Sequence, residues 1–111
     1  MPEIRYSSEF NKSYSKLKEK ALAGNFEAKY IIGLIEKATI KLSCDLNSGT
    51  QISRKLWPEE YVQKFDVKNL WKINLDSNWR LVYTITGFKI DLFLIYLEYM
   101  SHKDYNRKFK Y

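Results

Sequence analysis

The sequence predicts an α+β fold: an N-terminal helical hairpin packed on a small, twisted, mostly antiparallel β-sheet. Three observations predict it. Residues 10–42 repeat apolar positions at helical spacing, and residues 70–85 alternate apolar and polar positions in two runs broken by a short turn. A third run, Phe88 to about Tyr99, is apolar on both faces after Asp91, as expected of a strand covered on both faces.

Residues 3–7 predict a short edge strand with Ile4 and Tyr6 facing alike. Phe10, Tyr14, Leu17 and Ala21 fall on one helical stripe, and Gly24 suits the stop. Asn25 is placed to cap a second helix, with Glu27 in the first turn where the helix dipole favours a carboxylate. That helix runs to about Leu42 on the stripe Ile31, Leu34, Ile35, Ala38 and Leu42. Residues 45–69 predict a long loop, with a turn at Asn47-Ser48-Gly49 and a short helix that has Pro58 at or near its first position. A loop of this length in a small domain points to function.

The two runs in 70–85 carry a register. With Asp76-Ser77-Asn78 as a three-residue loop, Leu75 lies opposite Trp79, Asn74 opposite Arg80 and Ile73 opposite Leu81. Trp71, Ile73, Leu75, Trp79, Leu81, Tyr83 and Ile85 then share one face, and Lys72, Asn74 and Arg80 share the other. A two-residue turn reverses this and puts an unpaired guanidinium among the apolar residues, which is costly. A second turn is expected at Thr86-Gly87, pairing Ile85 with Phe88, Tyr83 with Ile90 and Leu81 with Leu92. The third strand, Phe88 to about Tyr99, is expected to be central and to deliver residues 100–105 beside the polar patch.

At 111 residues the chain is expected to be one domain, 1–111, able to bury about 65% of its unfolded surface. A hydrophobic content of 45% and 18 aromatic residues argue for a folded core. The net charge of +6 favours polyanions or an acidic protein partner. Residues 101–111 hold Lys103, Arg107, Lys108 and Lys110 against Asp104. The one cysteine, Cys44, excludes an intramolecular disulfide and is expected to be a buried thiol. Neither a signal peptide nor a membrane-spanning run is legible, so a cytoplasmic protein with no membrane partner is expected.

The usual enzyme signatures are missing: no phosphate-binding glycine loop, no HExxH, no Gly-x-Ser-x-Gly. A single histidine cannot make the usual zinc site, and no metal or cofactor is expected. What stands out is a basic and phenolic set: Lys72, Arg80, His102, Lys103 and Tyr105. RNA supplies its own nucleophile, the 2′-hydroxyl, so cleavage needs only proton carriers and cations around the phosphate. Arg80 and Lys72 suit the non-bridging oxygens. Histidine is the only side-chain type that titrates near neutrality without help, which makes His102 a candidate proton carrier, and Tyr105 or Lys103 is the candidate for a second. Each residue has an ordinary alternative. Lys72 is then a solvated lysine, Arg80 an ion-pair partner of Asp91 or Glu98, His102 an exposed histidine, and Tyr105 a packing residue beside Phe109 and Tyr111.

The pattern Leu-Trp-Lys-Ile-x-Leu-x-x-x-Trp-Arg-Leu-Val-Tyr at 70–83, a hydrophobic strand, and His102-Lys103-x-Tyr105 resemble the RelE/ParE toxin superfamily. The resemblance is strong over 52–111 and architectural over 1–51. It implies a RelE-like toxin of a type II toxin–antitoxin pair that cleaves mRNA on the ribosome without metal. On that basis Lys72, Arg80, His102, Lys103 and Tyr105 are the catalytic candidates, and Arg54, Lys55, Asn74, Arg107, Lys108 and Lys110 the RNA contacts. Asn74 departs from the family, which often has Lys or Arg there. The resemblance also implies an acidic antitoxin that folds as it binds, giving a toxin–antitoxin hetero-oligomer. The alternatives are a gyrase-inhibiting toxin of the same fold, or an inactive RNA- or partner-binding module.

Overall fold

Helices cover both faces of a five-stranded sheet in the computed structural model, which describes residues 3–88 and 91–109. The elements are β1 (Glu3–Tyr6), α1 (Ser8–Leu22), α2 (Phe26–Cys44), β2 (Thr50–Gln51), a single 3₁₀ turn at Arg54–Leu56, α3 (Glu59–Phe65), β3 (Trp71–Asn74), β4 (Trp79–Phe88), β5 (Asp91–Ser101) and α4 (His102–Phe109). The strand order is β1-β5-β4-β3-β2. β1 runs parallel to β5 and the other pairs are antiparallel, so the α+β class and the mostly antiparallel sheet are as the sequence predicts.

Local chemistry sets the helix ends. The Ser7 hydroxyl accepts the Phe10 amide, and the Asn25 side chain accepts the Ala28 amide, satisfying donors that a helix start leaves open. Gly24, at φ +98°, turns the chain between α1 and α2. α1 and α2 then bury Phe10, Tyr14, Leu17, Ile31, Ile35 and Leu42 against Ile73, Leu81, Tyr83, Leu94 and Tyr96 of the sheet. Leu34, expected on this stripe, is only partly buried, and Ala28 takes a core place.

The β3–β4 register is the expected one: Asn74 opposite Arg80, Ile73 opposite Leu81, and the Leu75 amide bonded to the Trp79 carbonyl. The second expected turn is not found. Thr86 and Gly87 belong to β4, opposite Phe93 and Leu92, and Leu81 lies opposite Tyr99. Gly87, at φ +119°, adopts a backbone that other residues avoid, but it does so inside a strand. Continuing the ladder from Ile85 through Phe88 adds three more residue pairs to it. Ile90, a member of the expected register, lies outside the described residues.

A bulge repairs the pairing farther along. Val82 faces Glu98 and Tyr83 faces Tyr96, leaving Leu97 without a partner on β4. Leu97 and Glu98 thereby both serve the second face of the sheet. Leu97 packs in a second core with Tyr61, Leu70, Val82, Tyr105 and Phe109, while Glu98 accepts from the Tyr61 hydroxyl and from Lys108.

One element was not anticipated, and one expectation is corrected. The C-terminal segment is a helix, α4, whose Tyr105 and Phe109 lie one turn apart and pack on the sheet. Cys44 is exposed, because it sits two residues beyond buried Leu42 and so projects roughly 200° away around α2. Among the described residues, no helix is long and apolar enough to cross a membrane.

Candidate active site

The β3–β4 turn builds one side of the site. The Oδ1 of Asp76 accepts the amides of Asn78 (2.8 Å) and Trp79 (2.7 Å), and its Oδ2 accepts the Tyr30 hydroxyl of α2 (2.6 Å). The Tyr30 bond, joined by the turn amides and the Arg80 charge, holds the Asp76 carboxyl below its usual pKa against a smaller opposing effect of desolvation. The turn aims two carbonyls at the site. That of Asp76 accepts Arg80 Nη1 (2.9 Å), and that of Asn78 accepts the His102 amide at the start of α4 (2.5 Å).

Arg80 is only 7% exposed. Its Nη1 also donates to the Trp79 carbonyl (3.2 Å), and its Nη2 donates to His102 Nδ1 (2.8 Å). The buried Nε has no acceptor among the described residues. Arg80 carries no ion pair to Glu98, which is engaged with Tyr61 and Lys108. His102 Nε2 lies 3.1 Å from the Asn106 side-chain amide. Lys72, from β3, holds its ammonium 5.0 Å from the centre of the Tyr105 ring. Partial burial, then the Arg80 charge, lowers the Lys72 pKa. Lys72, Arg80, His102, Tyr105 and Asn106 together line a cavity of about 180 Å³.

Four of the five catalytic candidates thus meet: Lys72, Arg80, His102 and Tyr105. Lys103 is exposed on α4 and does not line the cavity. The face carrying Lys72 and Arg80 is not the open polar patch that strand alternation suggests. The second core covers most of it, and Tyr105 is 1% exposed with its ring stacked on Phe109 at 4.6 Å. The Tyr105 hydroxyl oxygen is buried.

The expected RNA contacts scatter. Arg54 lies over the Trp57 ring beside a separate hollow, and Lys55 is exposed on the same 3₁₀ turn. Asn74 is opposite Arg80 in the ladder, but lines a groove with Lys37 and Lys41 of α2. Arg107 is paired with Asp104. Lys108 bridges Glu60 and Glu98 at 2.9 Å each, tying α4 to α3 and β5. Lys110 lies outside the described residues. Two residues were missed. Asn106 is four positions after His102, a spacing that matters only once the segment is helical. Asp76 opens Asp-Ser-Asn, a sequence suited to an Asx turn. Among the described residues, no group of three His, Cys, Asp or Glu side chains is placed to hold a metal ion.

No family model matches the sequence, and no curated protein matches it. A solved structure titled YoeB/ParE toxin from Agrobacterium tumefaciens superposes with a TM-score of 0.59 over 90% of this chain and 98% of that one, at 13% identity. The chain has the fold of a YoeB/ParE toxin. At this identity the likeness establishes architecture, including the sheet that carries Lys72 and Arg80, and leaves function to the site itself.

Proposed function

We propose that the protein is the toxin of a toxin–antitoxin pair and a metal-independent endoribonuclease acting on ribosome-engaged mRNA in the cytoplasm. One observation carries this reading: Lys72, Arg80 and His102 share a single small cavity on a YoeB/ParE-type sheet. An RNA phosphate entering that cavity draws Arg80 Nη2 from His102 and offers an acceptor to the unsatisfied Nε. The 2′-oxygen attacks phosphorus, and its proton passes to Lys72 in its neutral form, which the lowered pKa favours. The bond to the 5′-oxygen breaks, and His102 in its imidazolium form supplies that oxygen's proton. The products are a 2′,3′-cyclic phosphate and a 5′-hydroxyl. Arg80 stabilises the added charge, a role whose loss typically costs about 10²–10³ in rate.

The net charge of +6 suits an acidic antitoxin segment that covers the basic groups on binding. A second reading, a toxin that does not cut RNA and inhibits gyrase instead, draws on two facts. The Arg80 guanidinium is buried on protein acceptors, and Asn74 replaces a cation opposite it. Primer extension on translated mRNA separates the two. Wild type is expected to cut and Arg80→Ala to cut about 10²–10³ more slowly. Growth arrest without cuts, accompanied by loss of gyrase supercoiling, selects the second reading.

A further inference from the structure

We propose that Asp76 is a positioning residue, whose turn holds the Arg80 guanidinium on His102 Nδ1 and so fixes the neutral imidazole as the Nε2–H tautomer. A guanidinium only donates, so the nitrogen it meets at 2.8 Å is the acceptor, and the ring proton sits on the other nitrogen. Asn106 then turns its amide oxygen toward Nε2, a rotation that changes no shape.

Asp76 sets both ends of this arrangement. Its carboxylate gathers the Asn78 and Trp79 amides and is braced from α2 by Tyr30. Its carbonyl takes Arg80 Nη1, and the carbonyl of Asn78, within the same turn, takes the His102 amide. The carboxylate therefore orders a turn that grips the arginine by its side chain and the histidine by its backbone. Removing it releases two turn amides and the Tyr30 brace together, and frees both carbonyls to drift. A displacement of 1 Å at a reacting group can cost about 10²-fold.

The tautomer is read without reference to activity, because His102 is the chain's only histidine. In ¹⁵N NMR at alkaline pH, wild type is expected to show two widely separated ring-nitrogen resonances. In Asp76→Ala they converge as the tautomers exchange. Asp76→Asn, which keeps an oxygen for the turn amides, restores the separation. Tyr30→Phe removes one exposed bond and carries the test should Asp76→Ala fail to fold, with a smaller convergence expected. Wild-type resonances in Tyr30→Phe and in folded Asp76→Ala overturn the proposal. The activity arm rests on the ribonuclease reading: kcat for RNA cleavage should fall about 10–100-fold in Asp76→Ala at little-changed KM, with rescue by Asp76→Asn. If wild type cuts no RNA, that reading fails while the resonances still decide the role of Asp76.

Discussion

Replacing Gly49 with alanine should destabilise the protein by about 2–6 kcal/mol. A Cβ there overlaps the Lys72 carbonyl and comes within 2.6 Å of the Tyr83 hydroxyl. Neither neighbour can retreat. The carbonyl belongs to β3, where Lys72 is laddered to Val82 on one side and Thr50 on the other. Tyr83 is fully buried, and its hydroxyl donates to the Leu46 carbonyl (3.0 Å) and accepts the Gly49 amide (3.3 Å). Burial pushes the Tyr83 pKa up to about 12, so the hydroxyl stays neutral and keeps its donor. Relief requires the 45–49 loop to move, costing about 1–3 kcal/mol for overpacking and about 1–3 kcal/mol for a buried hydroxyl left short of partners. At roughly 4 °C per kcal/mol, Tm should fall by about 8–24 °C. Gly33→Ala is the control. It lies within α2 with open space around the added carbon, and should gain about 1 kcal/mol of helix propensity. Urea titrations followed by far-UV circular dichroism give both values. A Gly49→Ala protein within 0.5 kcal/mol of wild type, or a Gly33→Ala protein that loses as much, refutes the packing argument.

Lys108→Met should lower stability by about 1 kcal/mol in urea titrations, a figure discounted because Lys108 and Glu98 are each about a quarter exposed. Burial opposes the Lys108 charge, but the bonds to Glu60 and Glu98 outweigh it and raise its pKa. Its contribution is therefore complete below the ordinary lysine value and disappears as pH rises through the folded one, so wild type and variant should converge in strong alkali. Asp76 has the opposite sign. Its folded pKa is depressed, so its contribution is present above the ordinary value of 3.8 and lost as pH falls through the folded value. Unfolding titrations from pH 6 downward should show wild type losing its advantage over Asp76→Asn only in acid. Cys44, exposed at the end of α2, should react with iodoacetamide in the native protein about as fast as in urea. Protection of the thiol would contradict its placement.

The first hairpin was legible because chemistry allowed one register. A slip at 76–78 buries Arg80 without partners, and the cost of that outweighs turn preference. The helices were legible from their stripes and from Gly24 and Asn25 at the junction between them; the Ser7 cap was not read. Thr86-Gly87 misled, because a residue pair suited to a turn also suits a strand when glycine takes φ +119° inside it. The bulge at Leu97 left no mark, since both faces of β5 are apolar and alternation cannot reveal a skipped partner. α4 had a signal that went unread. Ser101 precedes Asp104 by three, its hydroxyl accepts the Asp104 amide, and Tyr105 and Phe109 lie four apart. Within the site, the meeting of Lys72, Arg80 and His102 followed from the hairpin register and the direction of β5. The burial of Tyr105 did not, because it depends on a second core built from the 52–67 segment, where no periodicity exists to read.

Ser7 hydrogen-bonds Leu97 across 90 residues of chain, and β1 finds its place only against β5. On a translating ribosome, at about 5–20 residues per second, the first strand waits roughly 5–18 s for its neighbour to be made. Once Cys44 has been made, α1 and α2 are present for the rest of that interval while the sheet that covers their apolar stripes is not. The apolar stripes of the two helices are therefore uncovered while residues 45–97 are made, and codon speed downstream of α2 sets how long that exposure lasts.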